Sequence, residues 1–321
     1  RTWTFYTVVK SYFHHGQLPW REVLISGWGL AGEGMGKISK SRGGGPMAPM
    51  AMIEQASADG LRYWAASTST GKDAVISEEK IQMGSKLATK LWNVARFSQA
   101  FIAGKAGMAR PDHLTPADHW ILARLQSVIR RVTAAFEGYD YAGAKAEIEG
   151  FFWGDLADNY IEMAKQRLYD DAHPGHAAAC YALRLALLQT VKMLAPLLPF
   201  ICEAVWRELF AGEEGVASVH RAAWPEVDAG LTDEGAERSG TMLVGVASAV
   251  RRYKSEAGLG LATTLERLEL ATGDAQTAGL LREAQADLMS VTRALAVVVG
   301  ADLSPNAREL PTSGDVRVGL G

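Results

Sequence analysis

The stretch TPADHWILARLQSVIRRVTAAF, residues 115–136, carries a clear helix-start signal. Thr115 can cap a helix, because its hydroxyl accepts from a backbone N–H of the first turn. Pro116 suits the first helical position, where an N–H would have no partner. Working outward, further helices are expected over 77–103 (closed by Gly104), 141–169, 176–194 and 199–210. Long helices joined by short connections read as an antiparallel bundle. Trp92, Trp120, Trp153 and Trp206 stand beside apolar residues at helical positions and are expected in its core.

On the C-terminal side, 211–235 is rich in Gly, Ala and acids and reads as a linker. A smaller unit follows, with helices over 241–256 and 276–289 and strands over 265–270 and 295–299. The last residues, with Pro305 and Pro311, are expected to be loosely ordered. On the N-terminal side the pattern turns helical from Ala51 and is broken by TSTGKD at 68–73. VLISG at 23–27 suits a buried strand. Periodicity leaves helix and strand both open for 2–13.

Composition bounds the function. With 33 Lys+Arg against 36 Asp+Glu, the net charge is -3 and the pI about 6.2. Contact with nucleic acid must therefore come from local patches such as Arg130-Arg131, Lys165 with Arg167, or Arg251-Arg252 with Lys254. For any one of these residues a solvated helix face is the plainer reading. Cys180 and Cys202 read as reduced thiols in apolar helices, without a disulfide or zinc site. The most apolar run, 193–202, is too short to span a bilayer, and a cytoplasmic protein is expected. Asp155, Asp158 and Glu162 share one helical face. They read as surface acids or salt-bridge partners of Arg167 rather than a general acid/base pair. His14-His15 reads as a surface pair. The chain opens on Arg1 inside an element and is expected to be a piece of a longer one.

The glycine-rich stretch GEGMGKISKSRGGGPM, 32–47, follows the expected strand. Glycine permits close backbone approach. Lysine ammonium groups, serine hydroxyls and free amides suit phosphate oxygens. On composition alone KISKS in such a stretch reads first as a solvated surface loop, with a movable clamp for a polyphosphate as the alternative. Neither a P-loop nor a Rossmann fingerprint is present.

KISKS (Lys37-Ile38-Ser39-Lys40-Ser41) resembles the KMSKS signature of class I aminoacyl-tRNA synthetases. SADGLRYWAAS (57–67), KLATKLWNVARF (86–97), ADHWILARL (117–125), FFWGDLADNYIEMAK (151–165), MLAPLLPFICEAVW (193–206) and SVHRAAWPE (218–226) resemble further stretches of that family, in order. RTWTFYTVVKS (1–11), ISGWGL (25–30) and 71–97 are similar to its valyl branch, as is 249–261. The isoleucyl and leucyl branches are the neighbouring alternatives, and a synthetase-like tRNA-binding module without catalysis is a third.

The resemblance implies a mainly α chain. A truncated Rossmann-type α/β end (1–45) and a connector (46–95) would lead into a helical-bundle anticodon-binding domain (96–227), then a linker and small α/β appendage (228–321). It implies ATP-dependent joining of valine to valine-specific tRNA through a valyl-adenylate, with Mg2+ implied by ATP. By likeness Lys37 and Lys40 would stabilise the departing pyrophosphate, and Ser39 and Ser41 would help bind the nucleotide. Trp3 would line the amino-acid pocket or serve as a plain core aromatic. Departures are Ile38 for methionine, SRGGGPMAPM after the signature, and Gly154 for asparagine. The HIGH signature, the ribose-binding Gly and Asp and the editing domain would all lie before Arg1. This piece is therefore not expected to activate valine alone.

Overall fold

The computed structural model describes residues 2–30, 49–105, 107–312 and 315–321. Helices dominate. The first, α1 (Thr2–His15), settles the open choice for the N-terminal segment as helix, with no buried residue. The expected buried strand at 23–27 does not form. Val23, Leu24 and Ile25 are exposed coil. The reason is cover: this segment runs beside 71–76 alone. Ile25 accepts from Gly71 N (3.0 Å), and only β1 (Gly29–Leu30) pairs as strand, parallel to β2 (Ala74–Val75). No second layer among the described residues buries its faces.

α2 (Pro49–Ala66) is broken at Ser57 (φ 67°, ψ 160°) and packs along α3 (Glu78–Ile102). The helices touch at Gly84, where a Cβ would sit 2.5 Å from Tyr63 Cβ. Only glycine lets the backbones come this close. α3 starts where expected, with Ser77 accepting from Lys80 N, and stops before Gly104 (φ +73°).

α4 (Pro116–Glu137) opens on a complete capping box: Thr115 accepts from Asp118 N, and Asp118 accepts in return from Thr115 N. α5 (Tyr141–Glu149), a π-helical stretch Gly150–Tyr160 and α6 (Ile161–Tyr169) form the rod expected over 141–169. In the π-helical stretch, Asn159 Nδ2 donates to Gly154 O at 2.8 Å, five residues back. α7 (His176–Leu194), α8 (Pro199–Leu209) and the short α9 (Ala211–Glu214) complete the bundle. α7 is long and apolar enough to cross a membrane, but 67% of its most apolar window lies buried among the other helices. Trp120 and Trp206 are buried and Trp92 and Trp153 pack against the core, as expected.

The expected linker is a packed strap. Val219 and Leu231 are buried, Trp224 Nε1 donates to Thr133 Oγ1 at 2.8 Å, and its ring meets Phe136 edge-on at 5.5 Å. Its small residues let it lie flat, while Val219, Trp224 and Leu231 hold it down. α10 (Glu234–Glu256) then packs on α4, with Gly240 against Trp120.

The final unit contains β3 (Leu265–Ala271), α11 (Ala275–Glu283), α12 (Gln285–Thr292), β4 (Ala294–Gly300), β5 (Arg308–Leu310) and β6 (Arg317–Leu320), in sheet order β4-β3-β6-β5. The tail expected to be loose supplies an inner strand. Leu320 pairs with Leu268 and Val318 with Leu270, and Val316 and Val318 are buried. Pro305 and Pro311 stand outside the strands, so neither interrupts a ladder. Leu268, Leu281, Leu288 and Val318 belong to the same continuous apolar core as the bundle.

Candidate functional site

Lys37, Ser39, Lys40 and Ser41 lie outside the described residues. The described elements that flank residues 31–48 are β1, where Ile76 N donates to Leu30 O at 3.0 Å, and α2. Trp3, on the first turn of α1, is 69% exposed and stacks on Trp20 (centroids 5.8 Å apart, planes 8° from parallel). It is therefore no core aromatic within this chain. Phe5, Tyr6, Tyr12 and Phe13 are exposed on the same helix. So long a run of exposed rings marks an interaction surface.

α2 is tied to the bundle by polar groups of the SADGLRYW stretch that sequence reasoning had not given a role. The buried Asp59 carboxylate accepts from Phe200 N (3.2 Å) and Ile201 N (2.7 Å) at the start of α8. There it meets unpaired amides and the positive end of the helix dipole. Arg62 donates to the carbonyls of Pro196 and Leu197. The part of α2 beyond the Ser57 break is thus locked to the α7–α8 turn.

The basic clusters separate into different roles. Arg167 is fully buried, neither a phosphate contact nor a solvated face. Its guanidinium donates to Asp118 through Nη1 and Nη2 (2.9 Å each) and to Asp287 through Nε (2.7 Å) and Nη2 (3.3 Å). Thr115 and Tyr160 hydroxyls satisfy the remaining carboxylate lone pairs. Burial, with the Asp118 charge nearby and against the pull of Arg167, pushes Asp287 up to about 6. Lys254 is also buried; its ammonium donates to the carbonyls of Leu261, Thr263 and Thr292 at 2.6–3.0 Å. Arg251 donates to Asn159, and Arg131 pairs with Glu147. Arg130 and Arg252 are exposed.

The three acids are salt-bridge partners, though not of Arg167. Asp155 pairs with Arg124 (2.9 Å), Asp158 with Lys90 (3.0 Å) and Glu162 with Lys165 (2.5 Å). Burial raises Asp155 above the usual carboxylate range, but Arg124 engages it. The charges of Arg131 and Glu237 also act on it, in opposite directions. His14 and His15 are exposed, and both cysteines are free and buried. No group of three or more metal-ligating side chains occurs among the described residues.

Two concavities follow the seam between the bundle and the final unit. One, of 440 Å³, is lined by Lys90, Asp158, Glu162, Arg251 and Arg293. The other, of 580 Å³, is lined by Lys165, Gln166, Tyr169, Arg293 and Leu295. Tyr169 is 69% exposed and is held edge-on by Phe101, at 5.2 Å and 90°. Lys165 and Arg293 share one carboxylate, Glu162, and leave a cationic surplus. An exposed rigid ring flanked by cations can stack an unpaired base and hold its phosphate. The sequence marked Lys165; Tyr169 and Arg293 come together only in the fold.

Residues 1–77 match the family of tRNA synthetases class I (I, L, M and V), and residues 118–270 match the anticodon-binding domain of tRNA ligase. Over 273 residues the chain is 35% identical to the valine–tRNA ligase of Ehrlichia canis (strain Jake), covering 84% of this chain and 33% of that protein. It is 38% identical over 304 residues to the valine–tRNA ligase of Thermobifida fusca (strain YX), covering 93% and 33%. With the valine–tRNA ligase of Methanopyrus kandleri it shares 37% identity over 324 residues, 99% and 35% of the two chains. The chain thus spans about a third of the length of the curated relatives it matches. A LeuRS–tRNA–LeuAMS ternary complex from Agrobacterium radiobacter K84 shares the fold, with a TM-score of 0.55 at 21% identity over 72% of this chain and 27% of that one.

Proposed function

We propose that this chain, which belongs to the class I tRNA synthetases, is the portion of a valine–tRNA ligase that carries the pyrophosphate loop and the anticodon-binding body. The observation that carries this is order. A catalytic-domain match at 1–77 and an anticodon-binding match at 118–270 stand in one chain, and its relatives at 33–38% identity are valine–tRNA ligases. The proposed activity is ATP-dependent activation of valine and its transfer to tRNA, in the cytoplasm, with ATP as its Mg2+ complex.

On this reading residues 1–45 close the catalytic domain, 46–95 connect it, 96–227 bind the anticodon and 228–321 append to the bundle. The exposed rings of α1 support a larger domain against that helix. Trp3 presents its face to the amino-acid pocket. Lys37 and Lys40, with Ser39 and Ser41, meet the charge that builds on the leaving pyrophosphate, which stabilises the transition state more than the ground state. The part of α2 beyond Ser57, locked through Asp59 and Arg62, ties the segment that follows those residues to the bundle. Tyr169, Lys165 and Arg293 offer a base and its phosphate a place on the bundle.

The experiment is ATP–pyrophosphate exchange by the full-length enzyme. Valine should support it, isoleucine and leucine should not, and Lys40→Ala should lower kcat about 100-fold. Exchange driven by isoleucine or leucine would move the chain to a neighbouring branch. Exchange unchanged by Lys40→Ala would remove the loop's assigned role, and none with any amino acid would favour the non-catalytic tRNA-binding module.

A further inference from the structure

Away from the charged seam, three reactive side chains meet at the start of α7. His176 and Cys180 stand one helical turn apart, and Lys105 reaches them from the connection between α3 and α4. Lys105 Nζ lies 3.1 Å from Cys180 Sγ and 3.4 Å from His176 Nε2, and Nε2 lies 3.4 Å from Sγ. The other ring nitrogen, Nδ1, is 3.0 Å from the Arg167 carbonyl oxygen. A carbonyl only accepts, so Nδ1 carries a hydrogen, and in the neutral ring Nε2 turns its lone pair toward the amine and the thiol.

The cluster is one side chain from water. Cys180 is fully buried, but Lys105 is half-buried, and Asp171, 3.5 Å from Nε2, has a side chain 94% exposed. Cys202 supplies the contrast. It is buried beside the Asp59 carboxylate, and burial pushes its thiol well up. A base and an amine at contact distance set Cys180 apart from it.

We propose that Lys105 and Cys180 form a peroxide-sensitive cross-linking site, in which oxidation joins Nζ to Sγ as a sulfenamide. His176 Nε2 takes the thiol proton. The thiolate attacks one oxygen of hydrogen peroxide and the O–O bond breaks. The departing hydroxide recovers the proton from His176 and leaves as water. Sulfur has then given two electrons to peroxide and stands as a sulfenic acid. The Lys105 amine, in its neutral form, attacks that sulfur. An N–S bond forms, the S–OH bond breaks, and hydroxide leaves with an amine proton as a second water. Thiol, amine and one peroxide thus give one sulfenamide and two waters. The product ties the α3–α4 connection to α7 and is opened by thiols.

The test is hydrogen peroxide treatment of the full chain, read by intact and peptide mass. Wild type and Cys202→Ser should each lose about 2 Da and yield a peptide pair joined at Lys105 and Cys180, reversed by dithiothreitol. Lys105→Met and Cys180→Ser should not form it. His176→Gln should slow it about tenfold or more with circular dichroism unchanged. Gains of about 16 or 32 Da on Cys180 with Lys105 unlinked would overturn the proposal. So would a loss of 2 Da that persists in Lys105→Met, or reaction confined to Cys202.

Discussion

Arg167 donates to two carboxylates from different parts of the chain, Asp118 at the start of α4 and Asp287 on α12. All three side chains are buried, so removing the arginine leaves two carboxylates without a counter-charge or solvent. Arg167→Met should therefore destabilise the protein by about 3–5 kcal/mol in urea unfolding. Asp287 adds a pH dependence of definite sign. Its folded value, about 6, lies above the ordinary carboxyl value of 3.8. Between those values the unfolded chain has already lost the proton that the folded chain keeps, so stability falls as pH rises from about 4 to about 6 and levels above that. The loss should be on the order of 2–3 kcal/mol, and Asp287→Asn should abolish it in unfolding curves at pH 4.5, 5.5 and 7. Little of this was legible beforehand. The sequence puts Arg167 beside Lys165 on one helix, and composition cannot tell a solvated pair from one cation buried against acids 49 and 120 residues away. Thr115, by contrast, was readable, because a cap acts on the next turn of its own chain.

At the scale of elements, the helices of the bundle were legible because their signals are local: a cap before Glu78, Thr115-Pro116 before α4, Pro199 opening α8. Strands at 23–27 and 317–320 were misjudged because a strand is defined by its neighbours. The first is apolar but has one backbone hydrogen bond, from Gly71, and no cover, so it stays coil; the second is short yet sits between two ladders. Helix α10 shows how contact decides a glycine's worth. A Cβ on Gly240 would lie 1.8 Å from Trp120 Cγ, a buried ring at the α4 contact, whereas one on Gly245 would meet nothing within 4 Å. Gly240→Ala should therefore cost about 1–3 kcal/mol through overpacking. Gly245→Ala should stabilise by about 0.5–1 kcal/mol, by shrinking the unfolded ensemble and raising helix propensity. Thermal melts of the two variants, shifting in opposite directions, are the check. Gly154, where the family resemblance expects asparagine, is likewise open on its helical face, so Gly154→Ala should be tolerated.

For the whole molecule, the continuous core decides what can be cut. A bundle followed by a linker and an appendage predicts two folding units, each with its own apolar interior. The structure instead runs one core from Leu87 and Leu91 on α3 through Val246 and Val250 on α10 to Leu268 and Val318 in the sheet. The strap between them is nailed down by Trp224 and Leu231. Polar contacts cross the same boundary: Asp287 on Arg167, Ser290 Oγ on Glu162 O, and Arg251 on Asn159. Ending the chain at residue 227 would strip α10 from Trp120 and expose the Arg167–Asp118 pair on the side Asp287 now seals. Two measurements follow. The intact chain should unfold the bundle and the final unit in a single calorimetric transition, since neither can leave without opening the other's core. The 1–227 truncation should keep far-UV helical signal but lose near-UV aromatic dichroism and bind a hydrophobic dye, the signature of secondary structure without fixed packing. A truncation that melts cooperatively with sharp near-UV bands would restore the separable appendage. It would also mean that the contacts of α10 and α12 add stability to a bundle already complete without them.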